Sequence, residues 1–530
     1  MSSLILSARL EKSKVVREKS HTLHLQVNLE GKKIEGKRKP LSLGVAIDLS
    51  SSMTGAKAED AKAGLEKLVD HLTGDDTLTI IAFSTSVWTV LEPTRMTQEQ
   101  KDRVKAEIRA MHTHSSTNLS GATVATYEQV RKAAEKRLKE AVSRALIFTD
   151  GCPTAGDCSP EGLVRLAKGR PEDTNLICFG YGEDYNAELM TQMAKAAGGE
   201  AYHIKTPDEF GPTLGRVLGG LLTCVAQNVK VTLKMKPDVK ILEVLNDFDV
   251  EANDKKTEAT ITVDDVYSEE KRRVLCEIEL PAMDNSSRPF KYGTAVVEYQ
   301  DLVANEKRTE ELSLEVEYVK EADADKESDK EVAEQLAVLK AAKAQEEAMK
   351  LAQQGNFAGA QSVIRGAAMA LQDVGTAFSC SLADDLKDNV QSFLHADKYG
   401  AGGSHYLHAN TASYRSGRGQ TLGASKVMAT SSMKAMGASF GKKNQGVKPL
   451  GGMPMPGNAG GGIPNVGGVP NVGGFPDPFG AAPVVPGVNP FVSPFQQAGQ
   501  QQTGWAGTGQ PNVPPVSQKP KNLSKKRSKR

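Results

Sequence analysis

Cysteine is scarce in this 530-residue sequence. The six present, Cys152, Cys158, Cys178, Cys224, Cys276 and Cys380, are widely spread, which suits a reducing compartment better than a disulfide framework. Long apolar runs are absent, and nothing approaches the ~18 consecutive apolar residues of a membrane span. The opening MSSLILSARLEKSK holds one short apolar patch, too little for a signal peptide. There is no N-terminal Met-Gly and no C-terminal prenylation box. The expectation is a soluble protein, cytoplasmic, or nuclear in a eukaryotic host. Catalytic motifs are missing too. The nine histidines form no HExxH, no GxxxxGK[ST] or GxSxG occurs, and Gly180-x-Gly182 lacks the rest of a dinucleotide fingerprint. The motif inventory therefore points away from an enzyme.

Net charge is also nearly absent, with 66 Lys plus Arg against 65 Asp plus Glu for a total of +1. The sum hides two regions. Seven basic and no acidic residues lie in Lys519–Arg530, leaving −6 for the rest. Between Lys448 and Lys519 the only charge is Asp477, and from Gly446 onward the chain holds 15 of its 25 Pro and 17 of its 49 Gly. Such a segment cannot bury enough apolar surface to offset the entropy of ordering. The mildly acidic remainder is not a nucleic-acid binder by charge, although the basic end could touch a polyanion or serve as an import signal.

What is present alternates. Residues 1–40 read as β strands, with Leu23, Leu25, Val27 and Leu29 on one face. Over 41–224, apolar runs (Leu41–Asp48, Thr77–Phe83, Ala145–Asp150, Asn175–Phe179, Glu200–Ile204) alternate with helical stretches (Ala56–Leu72, Glu99–Met111, Leu119–Ala141, Ala187–Ala197, Glu209–Leu222). That order predicts an α/β fold, a doubly wound and mostly parallel sheet whose ligands sit at the carboxyl ends of strands. Residues 225–318 read as a β-sandwich. The strands of 1–40 are expected to join it, so that the α/β domain is inserted in or followed by a β-sandwich. Residues 320–397 turn helical and predict a small bundle. A tetratricopeptide-like hairpin (EEAMKLAQQGNFAGAQ) has no 34-residue repeat behind it. Residues 400–530 are expected to form a disordered Gly/Pro-rich tail.

The sharpest chemical signal is Asp48-Leu49-Ser50-Ser51-Ser52-Met53, after the first apolar run. Thr117-Asn118 heads a helix, and Asp150-Gly151 closes the ALIFTD run. In a parallel sheet both aspartates reach one edge. Two carboxylates and three hydroxyls, with no thiolate or imidazole, make an all-oxygen site for a hard divalent cation: Mg²⁺ first, with Mn²⁺ or Ca²⁺ as alternatives. These pieces resemble the metal-ion-dependent adhesion site of a von Willebrand factor type A (VWA) domain, as do GDDTLTIIAFSTS and FGYGEDYN. The bacterial and plant proteins with a flanking β unit and a helical C-terminal region are most similar. Inter-alpha-trypsin inhibitor heavy chains and calcium-activated chloride channel regulators resemble it more distantly. The resemblance implies that Ser50, Ser52 and Thr117 are hydroxyl ligands and that Asp48 and Asp150 act directly or through water. An open coordination position would then take a partner's Asp or Glu. Two residues depart from the pattern: Ser51 stands where the family usually has Gly, and Ser116 where it often does.

The function expected is therefore a non-enzymatic, Mg²⁺-dependent protein–protein interaction, as an adhesion or adaptor protein. The alternative is a scaffold or assembly factor acting through the helical region and tail, with a vestigial metal site. His112, His114, Cys152 and Cys158 fall in the loops framing the same edge, but H-x-H and C-x₅-C are not structural-zinc spacings. They read as polar loop residues and reduced thiols. In the tail, Asn489-Pro490-Phe491 resembles a ligand of endocytic adaptor modules and could make partner contacts.

Overall fold

The apolar runs that read as buried strands become the middle of a sheet. In the computed structural model, which describes residues 2–34, 38–135, 141–182, 184–283, 289–393, 404–416 and 430–441, the chain opens with β1 (Leu4–Leu10), β2 (Lys14–Val16) and β3 (His21–Gly31). An α/β segment follows: β4 (Leu41–Asp48), α1 (Ala56–His71), β5 (Thr77–Phe83), β6 (Val87–Arg95), α2 (Gln98–Arg109), α3 (Leu119–Glu135), β7 (Val142–Thr149), α4 (Pro160–Lys168), β8 (Thr174–Tyr181), α5 (Ala187–Ala196), β9 (Ala201–Ile204) and α6 (Pro207–Leu221). Its sheet runs β6-β5-β4-β7-β8-β9. All neighbours are parallel except the β5–β6 edge pair.

Every residue of β4, β5 and β8 is buried. That is what a parallel strand covered on both faces requires, and it explains continuous rather than alternating hydrophobicity. One face packs on α1, α2 and α6 through Leu65, Leu68, Val104, Ile108, Phe210 and Leu214. The other packs on α3, α4 and α5 through Leu119, Tyr127, Leu163, Met190 and Met193. Gly44 lets α3 approach β4 closely: a Cβ there would stand 2.6 Å from Val130 Cγ2.

Further strands surround this unit. After α6 come β10 (Cys224–Met235), β11 (Lys240–Val244), β12 (Asp249–Ala252), β13 (Glu258–Tyr267), β14 (Lys271–Leu280), β15 (Phe290–Asp301) and β16 (Glu306–Val319). With β1–β3 they form two sheets, β1-β3-β14-β11 and β12-β13-β10-β15-β16-β2, which share one apolar core including Leu25, Val27, Val231, Leu233, Val274, Ile278 and Val297. Since β1–β3 belong to this sandwich, the α/β segment is inserted between β3 and β10.

A helical layer comes next: α7 (Lys330–Gln353), α8 (Phe357–Val374) and α9 (Ala377–Asn389). The Gly355 stop between the first two has φ of +79°. Two further helices, α10 (Ser404–Arg415) and α11 (Ser431–Gly441), lie where a structureless tail is expected from residue 400, a correction to that expectation. Their sequence lacks the proline density of residues 446–530, and each has a partner surface. Leu407 and Tyr414 enter the core of α7–α9, while Met433 and Phe440 join the core beside α6. The Asn489-Pro490-Phe491 motif and the basic Lys519–Arg530 cluster lie outside the described residues.

Candidate metal site

The carboxyl ends of β4 and β7 are adjacent, because the two strands pair in parallel register up to Ile47 and Phe148. Asp48 ends β4 and is fully buried. Its Oδ1 accepts the Ser50 N–H (2.8 Å) and its Oδ2 accepts the Thr149 hydroxyl (2.6 Å). The first bond folds the chain back into a single 3-10 turn over Ser51–Met53. That turn places Ser52 Oγ 2.9 Å from Ser50 Oγ, from where it donates to Asp150 Oδ1 (2.7 Å). Asp150, immediately after β7, is also fully buried.

Thr117 arrives from the loop before α3. Its N–H donates to Thr154 Oγ1 (2.9 Å), and its carbonyl accepts from the N–H groups of Thr154 and Ala155. The neighbouring Asn118 caps α3 by accepting the Gly121 N–H (2.9 Å). A Cβ on Gly151 would stand 3.5 Å from Thr117 Oγ1 and 3.6 Å from Ser52 Oγ. The two hydroxyls therefore face one small space, which a glycine keeps open. The structure brings all five sequence-derived residues to one edge.

The two departures from the family pattern are harmless to the loops. Neither Ser51 nor Ser116 is among the residues with positive φ, so neither position demands glycine. Ser51 adds a tie instead, donating its hydroxyl to Ser115 O (3.1 Å).

The donor set fits a hard cation. Burial, and to a lesser degree the like charge of Asp150, push the Asp48 carboxyl up to about 6 against the bonds from Thr149 and Ser50. A cation at this edge would relieve that penalty. Among the described residues, no three His, Cys, Asp or Glu side chains gather as a metal cluster. Any cation here would thus take hydroxyls along with the two carboxylates. Cys152 and Cys158 are exposed and free. Cys152 Sγ donates to Asp184 O (3.4 Å). His114 is turned edge-on to the Trp88 ring at 5.5 Å.

Sequence reasoning missed Lys57, in the first turn of α1. Its ammonium lies 2.6 Å from Asp150 Oδ2 and 3.9 Å from Asp184 Oδ2. The only signal for it was its place in the helix that comes after the serine motif.

A mostly parallel sheet, wound by helices on both faces and carrying two aspartates and three hydroxyls at its carboxyl edge, defines the class: an α/β domain with its site at strand ends. The family model for the von Willebrand factor type A domain matches residues 43–215, and the chain carries such a domain. Curated relatives match over about a third of the chain. The human inter-alpha-trypsin inhibitor heavy chain H4 is 30% identical over 173 residues, covering 31% of this chain and 18% of the relative. An uncharacterized Synechocystis protein is 25% identical over 210 residues, covering 39% and 47%. The chain thus spans less than a fifth of that heavy chain. Among solved structures, a von Willebrand factor type A protein from Catenulispora acidiphila superposes with a TM-score of 0.59 at 16% identity, over 74% of this chain and 89% of that one. The VWA2 paralog of ArnB from Sulfolobus acidocaldarius gives 0.52 at 18% identity, over 78% and 99%. At such identities the likeness speaks for the fold, and it extends beyond the type A domain.

Proposed function

We propose that the protein is a non-enzymatic binding protein whose type A domain takes a partner's Asp or Glu through a divalent cation, Mg²⁺ first. The observation that carries this reading is the meeting of Asp48, Ser50, Ser52, Thr117 and Asp150 at one strand edge, around a space kept open by Gly151. A cation bound there would supply an electrophilic position for an outside carboxylate. The chain's own groups do the rest. Thr149 and Ser50 hold the Asp48 carboxylate in place, Ser52 orients Asp150, and the Thr154 clasp fixes the Thr117 backbone. The set is short of a general base for water activation, which favours capture of a carboxylate over hydrolysis.

The sandwich and helical layer carry the domain, and none of the described helices is long and apolar enough to cross a membrane. A cytoplasmic location belongs to the same reading, supported by cysteines that are few and widely spread. Capture of partners by the full chain from host extract, with Mg²⁺ and with EDTA, tests the proposal. Partners should be retained with Mg²⁺, lost in EDTA and lost with Thr117→Ala. Retention in all three conditions would contradict it. Loss only on deletion of 442–530 would instead support a scaffold acting through the tail, and that deletion leaves α11 in place on α6.

A further inference from the structure

Lys57 is held more firmly than a surface lysine needs to be. Its side chain is 27% exposed, and its ammonium sits 2.6 Å from Asp150 Oδ2. It lies over the Tyr181 ring at 5.9 Å from the centroid. Gly182, at φ +79°, lies directly beside it: a Cβ there would be in contact, 3.4 Å from Nζ and 3.5 Å from Cε. Asp150 thus divides its two oxygens, Oδ1 toward the Ser52 hydroxyl and Oδ2 toward a lysine. A second carboxylate, Asp184, waits 3.9 Å from the same nitrogen and is 79% exposed.

We propose that Lys57 is a tethered monovalent cation that neutralises Asp150 in the metal-free protein, and that it yields toward Asp184 when a divalent ion enters. This rests on the metal reading above. A dication held by the Ser50–Ser52–Thr117 side would share the Asp150 carboxylate with the ammonium. Two like charges so close repel strongly even where solvent screens them. The lysine therefore sets the strength of metal binding. It keeps the empty site electrostatically satisfied and makes the metal compete for Asp150. The Tyr181 face and Gly182 define its inner position, and exposed Asp184 gives it an outer one.

Calorimetric Mg²⁺ titration and thermal unfolding of the full chain test this on wild type, Lys57→Met, Asp184→Asn, the Lys57→Met/Asp184→Asn double variant and Asp48→Ala. Lys57→Met should bind Mg²⁺ on the order of tenfold more tightly than wild type. It should also melt at a lower temperature in EDTA and gain more from Mg²⁺. Asp184→Asn, an exposed change that spares the fold, should weaken Mg²⁺ binding in wild type and do much less in the Lys57→Met background. Unchanged or weaker binding by Lys57→Met, or an equal effect of Asp184→Asn in both backgrounds, overturns the role of Lys57. If Asp48→Ala still abolishes binding in that case, the metal reading stands. Binding by Lys57→Met alone would be the strongest support. No binding by either wild type or Lys57→Met would overturn both proposals.

Discussion

Asp48 is the residue on which the site's energetics turn. It is a fully buried carboxylate whose hydrogen bonds from Thr149 and Ser50 do not overcome the cost of burial. Removing its charge should therefore stabilise the metal-free protein while destroying the site. Asp48→Asn is expected to raise stability in EDTA at pH 7 by about 1–2 kcal/mol and to abolish any rise in melting temperature on adding Mg²⁺. Differential scanning calorimetry with and without Mg²⁺ reads both effects. At this scale the sequence was informative, because Asp-x-Ser-x-Ser, a Thr before a helix and Asp-Gly after a strand each have few other reasons to occur in that order. Lys57 was not legible. A lysine in the first turn of a helix reads as a solvated charge, and only the register between α1 and the end of β7 shows that it reaches Asp150.

Among elements, most strands and helices around the site were read from their apolar runs, while helix α4 (Pro160–Lys168) and strand β6 (Val87–Arg95) escaped. The β6 sequence, VWTVLEPTR, carries a proline and mostly half-exposed residues. It pairs only at the sheet edge, antiparallel to β5, where a missing ladder donor is tolerated. Helix α11 escaped for a different reason, since its stability comes from contact rather than propensity. It presses its backbone onto glycines of α6 spaced one turn apart. A Cβ at Gly215 would stand 2.8 Å from Met436 O, and one at Gly219 would stand 2.8 Å from Ser432 O. Phe440 stacks on His71 at 4.8 Å. Gly219→Leu should release 431–441, seen as lost hydrogen-exchange protection there, with β4–β9 still protected.

A second element-scale prediction concerns acid. Glu11, just after β1, accepts from His24 Nδ1 (2.7 Å) and from the Ser328 hydroxyl (2.9 Å). The bond from His24 pulls its carboxyl down to about 2 from the usual 4.5. Its contribution is therefore present above pH ~4.5 and lost as pH falls through about 2. In urea unfolding, wild type should lose about 1 kcal/mol more than Glu11→Gln between pH 5 and 2. An equal loss by the two proteins would contradict this.

The whole molecule is a type A domain set into a sandwich, and the two are joined by a polar link that sequence patterning does not reveal. Arg144, fully buried on β7, pairs with Asp265 on β13, which also accepts from Asn175 Nδ2 (3.0 Å). Arg144 stands immediately before the apolar run Ala145–Asp150, and nothing local marks its partner in another sheet. Breaking this pair leaves an uncompensated buried charge. Asp265→Ala should cost about 3–5 kcal/mol, whereas the Arg144→Met/Asp265→Leu double change should cost far less, as chemical denaturation would show. The sequence left open whether the α/β domain is inserted in the sandwich or followed by it, and the pairing of β3 with β14 along their length makes it an insertion.

The central claim is that Asp48, Ser50, Ser52, Thr117 and Asp150 bind a divalent cation. Isothermal titration of Mg²⁺ into the metal-stripped full chain tests it most directly, with Thr117→Ala as the control. Saturable binding of one ion by wild type, with little or none by the variant, is the expected result. Equal binding by wild type and Thr117→Ala, or no binding by either wild type or Lys57→Met, would contradict it.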